Sequence, residues 1–157
     1  MQRTTRFPHS WIPQVLSIAR IVIALLFIEH GTQKIFNFPP SEQGPMPFNI
    51  ASMMGIGAVI ELVGGALLLL GLGTRIVSFI LAGEMAVAYW MMHAPHGAYP
   101  LQNKGELAAL YCFAFLVFAV AGGGAWSLDR LFSRQRVADE PAAVPETASP
   151  ANRASLM

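Results

Sequence analysis

Four long stretches of this sequence are almost entirely apolar, and they restrict the fold more than any other feature. They span about residues 15–36, 50–72, 75–93 and 104–123. A helix needs about 20 mostly apolar residues to cross a bilayer, and each stretch is too long and too evenly apolar to be a strand. Only 12% of the 157 residues are charged, whereas soluble domains carry about 25%. The sequence therefore predicts an all-α fold, a transmembrane four-helix bundle in the lipid bilayer.

The segments between these stretches contain residues that end or begin helices. Residues 37–49 hold four prolines and residues 94–103 hold two, and proline interrupts a helix. Asn49 and Thr74 are placed to cap the second and third helices. Ser127 is placed to cap a short interfacial helix that ends near Arg136.

Lysine and arginine are distributed unequally between the two sides of the predicted bundle. The side with both termini and the second connection carries seven of them, and the other side carries Lys34 and Lys104; the seven are Arg3, Arg6, Arg75, Arg130, Arg134, Arg136 and Arg153. Positive residues favour the cytoplasm, so both termini are predicted to be cytoplasmic. We expect a cytoplasmic N-terminal segment at 1–13, a membrane domain at 14–133 and a disordered tail, rich in Pro and Ala, at 134–157.

Several ionisable residues lie within the apolar stretches. A charge at the bilayer centre costs about 2.5–3.5 kcal/mol on insertion scales, so such residues face the bundle interior and pair. Arg20 and Glu29 are nine residues apart and point to opposite faces of the first helix, given about 100° per residue. We therefore predict that Arg20 pairs with Glu61 or Glu84, a buried pair that fixes the helix register.

A candidate polar site lies at the outer end of the first helix. Glu29 and Gln33 share one face, and His30 and Lys34 share the neighbouring face, because each pair is spaced four residues apart. Together with Glu84, which lies deeper, these residues form the candidate site, although snorkelling toward the interface also explains His30, Gln33 and Lys34. No residue is assigned as catalytic.

Other polar residues have structural explanations. Asn103 and Glu106 have the spacing of a capping box, with Asn103 as the N-cap. The sequence has one cysteine, Cys112, which excludes an intramolecular disulfide. We predict no metal site and, without a basic patch, no nucleic-acid partner; the methionines and histidines near the end of the third helix are typical of packing and of solvated helix ends (Met91, Met92, His93 and His96).

Three groups of residues resemble the signatures of the DoxX family. The first helix carries Ala19-Arg20 through Leu26-Phe27, followed by His30-Gly31-Thr32-Gln33-Lys34. The second helix and the loop after it carry Glu61-Leu62-Val63-Gly64-Gly65, followed by Gly71-Leu72-Gly73-Thr74-Arg75. The fourth helix and its exit carry Asn103-Lys104-Gly105-Glu106-Leu107, then Leu110-Tyr111, then Gly122-Gly123-Gly124 and Trp126-Ser127-Leu128-Asp129. The resemblance covers about residues 15–131. It departs from the family at Lys104, where a glycine is expected.

The resemblance implies a small, multi-pass protein of the bacterial inner (plasma) membrane. Family members have been linked to quinone-coupled sulfur oxidation and to membrane oxidoreductase complexes. This implies a quinone as the possible cofactor and a membrane or periplasmic oxidoreductase as the partner. Two alternatives stay open beside a quinone-linked subunit: a non-catalytic scaffold or assembly factor, and a small proton-coupled transporter. Whether the chain is an enzyme or forms a homo-oligomer also stays open.

Overall fold

The computed structural model describes residues 11–42, 44–45 and 47–139, and this part of the chain contains helices and no strand. The predicted all-α fold is therefore confirmed. The α3 helix continues through a π-helical turn, Tyr89–His93, and a 3-10 turn, Ala94–His96. The α-helices within the described residues are α1 (Ile12–Phe36), α2 (Met53–Leu70), α3 (Thr74–Ala88), α4 (Pro100–Asn103), α5 (Glu106–Ala121) and α6 (Leu128–Asp139).

In the part of the chain that the structure describes, three helical segments are long and apolar enough to cross a membrane. They are Ile12–Phe36, Met53–Leu70 and Thr74–His96, and α5 is a shorter apolar helix. The 16 residues of α5 extend about 24 Å at 1.5 Å per residue. The four apolar stretches of the sequence therefore correspond to four apolar helices.

The helix ends follow local capping chemistry. Ser52, rather than the predicted Asn49, caps α2: its hydroxyl accepts a hydrogen bond from the backbone N–H of Gly55 at 3.0 Å. Asn49 instead accepts one from Ala51 N–H, so α2 begins three residues later than predicted. Gly71 ends α2 in the left-handed conformation, with φ of 69°, which glycine adopts without steric cost.

Ser127 precedes α6 and accepts a hydrogen bond from the backbone N–H of Arg130 at 3.3 Å, as its predicted capping role requires. The helix continues beyond Arg136 to Asp139, so residues 134–139 of the predicted tail are helical. The remainder of the predicted tail, residues 140–157, and residues 1–10 of the predicted N-terminal segment lie outside the described residues.

The bundle forms from two pairs of helices, since α1 packs on α2 and α3 packs on α5, while α2 and α3 contact each other. Phe27, Leu68, Leu81 and Phe115 are fully buried at its centre. Large apolar side chains also point outward, for example Ile76 and Val120, which are 72% and 77% exposed. Such a surface suits contact with lipid, because few soluble monomers expose large contiguous apolar patches.

The bundle has two distinct ends. At the arginine end, the start of α1, the turn between α2 and α3 and the connection from α5 to α6 lie together around Arg75 and Arg130. The loop end, at the opposite ends of α1 and α3, carries the connections of residues 37–52 and 94–105. Residues of the first and third connections are therefore on the same side of the bundle.

Candidate functional site

An ion pair joins α1 to α2 in the half of the bundle nearer the loop end. The ammonium of Lys34 donates a hydrogen bond to Oε1 of Glu61 at 2.6 Å. The Glu61 side chain is 3% exposed and that of Lys34 is 30% exposed. Lys34 thus turns toward the bundle interior, and its charge compensates a buried carboxylate.

Glu84 on α3 lies beside this ion pair. Its carboxylate packs on α2 at Gly57, one turn before Glu61, and a Cβ at Gly57 would lie 3.3 Å from Oε1 of Glu84. The second oxygens of Glu61 and Glu84 are both buried, and the described part of the chain offers neither of them a hydrogen-bond donor. Two acceptor atoms on adjacent helices are therefore unpartnered.

An aromatic cluster that includes His30 lies within electrostatic range of Glu61. The His30 ring meets Tyr111 of α5 edge-on, with ring centroids 5.7 Å apart. Phe27 packs against Tyr111 at 5.2 Å and against Phe115 at 4.8 Å. His30 also lies within electrostatic range of Glu61, Lys34 and Glu29. We call Lys34, Glu61, Glu84, His30 and Tyr111 the polar cluster.

The structure brings together only some of the residues predicted for the candidate site. His30, Lys34 and Glu84 belong to the polar cluster. The Glu29 side chain is exposed, although it lies within electrostatic range of His30 and Tyr111. Gln33 donates a hydrogen bond to the carbonyl of Pro39 at 3.2 Å, which ties the first connection to α1.

From the sequence, Glu61 was assigned only a structural role, and Tyr111 was not included in the candidate site. A tyrosine hydroxyl in an otherwise apolar stretch was the available signal for Tyr111. The pairing of Lys34 with Glu61 could not be predicted from the sequence, because helical periodicity does not specify which faces of two helices meet.

The predicted pairing of Arg20 with Glu61 or Glu84 is wrong. The Arg20 guanidinium donates hydrogen bonds to backbone carbonyls instead: to Gly123 at 2.9 Å, to Leu69 at 2.5 Å, to Trp126 at 2.6 Å and also to Leu68. These carbonyls belong to the end of α2 and to the connection after α5, where helix ends leave acceptors unused. Arg20 therefore fastens the arginine end of the bundle.

Asp129 completes the arginine end by capping α3. Its two carboxylate oxygens accept hydrogen bonds from the backbone N–H groups of Gly73 and Thr74, at 2.7 and 2.8 Å. Thr74 is thus the first residue of α3 and not its predicted cap. Partial burial disfavours the ionised carboxylate, but hydrogen bonds from Thr74 and Gly73 and the charge of Arg20 outweigh it and lower the pKa of Asp129.

The predicted capping box of Asn103 and Glu106 is also wrong, because Gly105 is the N-cap of α5 and Glu106 is its first residue. Asn103 is buried and works within the third connection. Its amide donates to the carbonyl of Gly97 at 2.8 Å, and its oxygen accepts from Gly105 N–H at 2.8 Å. Asn103 therefore holds the turn into α5 in shape.

These features define a class: a multi-pass helical membrane protein with a polar cluster buried between its helices. The profile of the DoxX family matches residues 15–94. That match covers half of the chain, so the chain belongs to the DoxX family, as the residue resemblance indicated. No solved structure matches the chain at a significant level.

Curated relatives span nearly their whole length in these matches. An uncharacterised protein of Haemophilus influenzae is 44% identical over 126 residues, which are 78% of this chain and 94% of the relative. The inner membrane protein YphA of Escherichia coli is 32% identical over 130 residues, 75% of this chain and 90% of the relative. The inner membrane protein YqjF of the same organism is 28% identical over 121 residues, 75% and 92% respectively. Together with the apolar helices, these relatives identify an integral membrane protein.

Proposed function

We propose that this protein is a quinol-binding subunit of an oxidoreductase in the bacterial inner membrane, with the polar cluster as its head-group site. The observation that carries the proposal is a pair of buried carboxylate oxygens, Oε2 of Glu61 on α2 and Oε2 of Glu84 on α3, that have no hydrogen-bond partner among the described residues. The two carboxylates lie within electrostatic range of each other. A buried acceptor without a donor costs about 1–3 kcal/mol. Two such atoms are a binding feature for a ligand that brings O–H donors.

The chemistry of the cluster suits a quinol. A quinol head group has two hydroxyl donors for the two acceptor oxygens and a flat ring that suits an aromatic border such as that of His30 and Tyr111. Lys34 and His30 supply N–H donors for the carbonyl form of the same ring. Ligand sites of this type combine apolar walls with a few convergent polar groups.

The residues of the polar cluster have different roles in proton transfer. Glu84 forms no ion pair among the described residues, although the charge of Lys34 acts on it. We therefore assign Glu84 as the group that accepts a proton from a bound hydroxyl. Glu61 stays paired with Lys34 and holds the second hydroxyl in place. His30, which is half-buried and within electrostatic range of Glu61, passes the proton toward the loop end, since imidazole exchanges protons near neutral pH.

Oxidation of a quinol releases two protons and two electrons. The sequence carries no recognisable haem, flavin or iron–sulfur motif and a single cysteine, so we assign the electrons to a partner oxidoreductase. We also propose that both termini are cytoplasmic, because arginine predominates at that end. The cluster then lies nearer the periplasmic face, and its protons leave on that side.

The test is direct binding of decylubiquinol to the purified full chain in mild detergent, under reducing conditions, measured by isothermal titration calorimetry. We expect Glu84→Gln and Glu61→Gln each to weaken binding about tenfold, because a buried polar group that loses its hydrogen-bond partner costs about 1–3 kcal/mol. Glu106→Gln is the matched control: it makes the same chemical change at an exposed position outside the cluster, and it should bind as the wild type does.

Circular dichroism must show the same helix content for all variants. A folded wild type that binds no quinol, or a Glu84→Gln variant that binds as tightly as the wild type, contradicts the proposal. Lower melting temperatures without any quinol binding would favour the scaffold alternative. Proton or solute flux into proteoliposomes would favour the transporter.

A further inference from the structure

A groove opens at the arginine end of the bundle, far from the polar cluster. It lies between the start of α1, the start of α3, the α5–α6 connection and α6, and has a volume of about 820 Å³. One wall is apolar and the rim is polar. We call it the arginine groove: its apolar residues include Ile12, Leu16, Ile76 and Phe132, and its charged residues are Arg75, Arg130 and Asp129.

The charges that the arginine groove presents to a ligand are mainly positive, because they come from Arg75 and Arg130. The Arg75 guanidinium donates one hydrogen bond to the carbonyl of Val120 at 2.6 Å, which fixes its position at the rim while the side chain stays exposed. Arg130 is exposed, and the described part of the chain gives its guanidinium no hydrogen bond or ion pair. The Asp129 oxygens are directed to Gly73 and Thr74 N–H.

The apolar wall continues onto the outer surface of the bundle. Ile76 is 72% exposed and Ile12 is 58% exposed, so the groove is open toward the lipid phase. Trp126, 57% exposed, lies on the connection that borders the groove, and tryptophan concentrates at the level of lipid head groups. A ligand in this groove therefore meets cations at the interface and apolar side chains toward the membrane.

We propose that the arginine groove binds an anionic phospholipid, with its phosphate between Arg75 and Arg130 and an acyl chain along Ile12, Leu16 and Ile76. Basic pockets at the ends of membrane helices bind anionic head groups, and guanidinium groups suit phosphate oxygens. A free phosphate ion would use the same guanidinium groups and leave the apolar wall uncovered. The combination of a cationic rim and an apolar wall therefore favours a lipid over a free phosphate ion. This proposal does not depend on the quinol site.

Native mass spectrometry of the detergent-purified full chain tests this, with phosphatidylglycerol and phosphatidylcholine added in equal amounts. The wild type should retain one phosphatidylglycerol in clear preference to phosphatidylcholine. Arg130→Gln and Arg75→Gln should each lower its occupancy about fivefold, the effect of one arginine near an anionic head group. Lys104→Asn removes an exposed cation at the loop end and should leave occupancy unchanged.

Two further comparisons separate the loss of a charge from the loss of a structural hydrogen bond and from the loss of apolar contact. Arg75→Gln also removes the hydrogen bond to Val120, so Arg130→Gln is the decisive charge variant because it breaks no described contact. Ile76→Ser should weaken lipid binding through the apolar wall without changing the charge. The proposal is overturned by equal retention of phosphatidylcholine, by unchanged binding in folded Arg130→Gln, or by displacement of the lipid by equimolar inorganic phosphate.

Discussion

Lys34 and Glu61 form an ion pair of 2.6 Å across the contact between α1 and α2. The two partners differ in their surroundings, because Glu61 is almost completely buried and Lys34 remains partly accessible. The lysine thus reaches from the loop end into the bundle and supplies the counter-charge that a carboxylate in this position needs. The ion pair is both a fastening between two helices and the fixed part of the polar cluster.

Removal of Lys34 alone should be the most damaging change at this pair. Lys34→Met leaves Glu61 as an uncompensated buried charge, and breaking a buried pair in this way costs about 3 kcal/mol or more. Glu61→Gln should cost less, because the partly exposed ammonium of Lys34 can turn to solvent. Thermal unfolding in detergent, followed by circular dichroism, measures both.

The double variant separates pairing from packing. In Lys34→Met/Glu61→Gln no charge is left unpaired, so it should be more stable than Lys34→Met alone. Purely additive losses in the double-mutant cycle would mean that the two side chains do not interact.

The sequence predicted the helices well because length and apolar composition suffice for them. It predicted that Lys34, His30 and Glu84 belong to a polar region, since charges rarely occur in apolar stretches without a reason. It did not predict the pairing of Lys34 with Glu61, because rotation of each helix about its axis decides which residues meet. Arg20 was assigned the wrong partners for another reason. Its partners are backbone carbonyls at helix ends, and the pattern of side chains in a sequence does not show which carbonyls accept such hydrogen bonds.

Arg20 should tolerate no substitution, including lysine. Its planar guanidinium reaches carbonyls on α2 and on the α5–α6 connection at the same time, and a lysine ammonium cannot reproduce that fork. We expect Arg20→Lys to lower the free energy of unfolding by about 2–3 kcal/mol, the value of hydrogen bonds to a charged group. Thermal unfolding in detergent is the measurement.

Arg130→Lys is the control for Arg20→Lys, because Arg130 is exposed and surface changes stay within about 0.5 kcal/mol. Similar melting temperatures for the wild type and Arg20→Lys would show that charge alone, and not the guanidinium geometry, holds the arginine end together.

Acid should loosen the contact between α6 and α3 through Asp129. The pKa of Asp129 in the folded chain lies below its ordinary value of 3.8, despite partial burial, because hydrogen bonds from Thr74 and Gly73 and the charge of Arg20 favour the carboxylate. The resulting stabilisation is present above pH 3.8 and is lost as the pH falls through the lowered pKa. Melting temperatures measured between neutral pH and this range should fall more steeply for the wild type than for Asp129→Asn.

The stability of Asp129→Asn at neutral pH gives a second, independent test. An asparagine has one acceptor oxygen where Asp129 uses two, so Asp129→Asn should cost about 1 kcal/mol, as loss of a helix cap does. Parallel pH profiles of the wild type and Asp129→Asn would contradict the role assigned to the carboxylate.

Two glycines inside membrane helices should respond in opposite ways to alanine. A Cβ at Gly31 would lie 2.8 Å from the backbone nitrogen of Leu62 and 2.9 Å from the carbonyl oxygen of Ala58. Neither backbone atom can move without separating α1 from α2, so Gly31→Ala should destabilise the bundle by about 1–3 kcal/mol, as overpacking does. Because Lys34 follows one turn later, this variant should also weaken decylubiquinol binding.

Gly83 on α3 is the matched control, since nothing lies within 4 Å of a Cβ built there. Gly83→Ala should be neutral or stabilising by about 0.5–1 kcal/mol, because alanine loses less backbone entropy in a helix. Melting temperatures of the two variants should therefore move to opposite sides of the wild type, or Gly31→Ala alone should fall. Equal effects at both positions would show that α1 and α2 do not approach each other as closely at Gly31 as the backbone geometry requires.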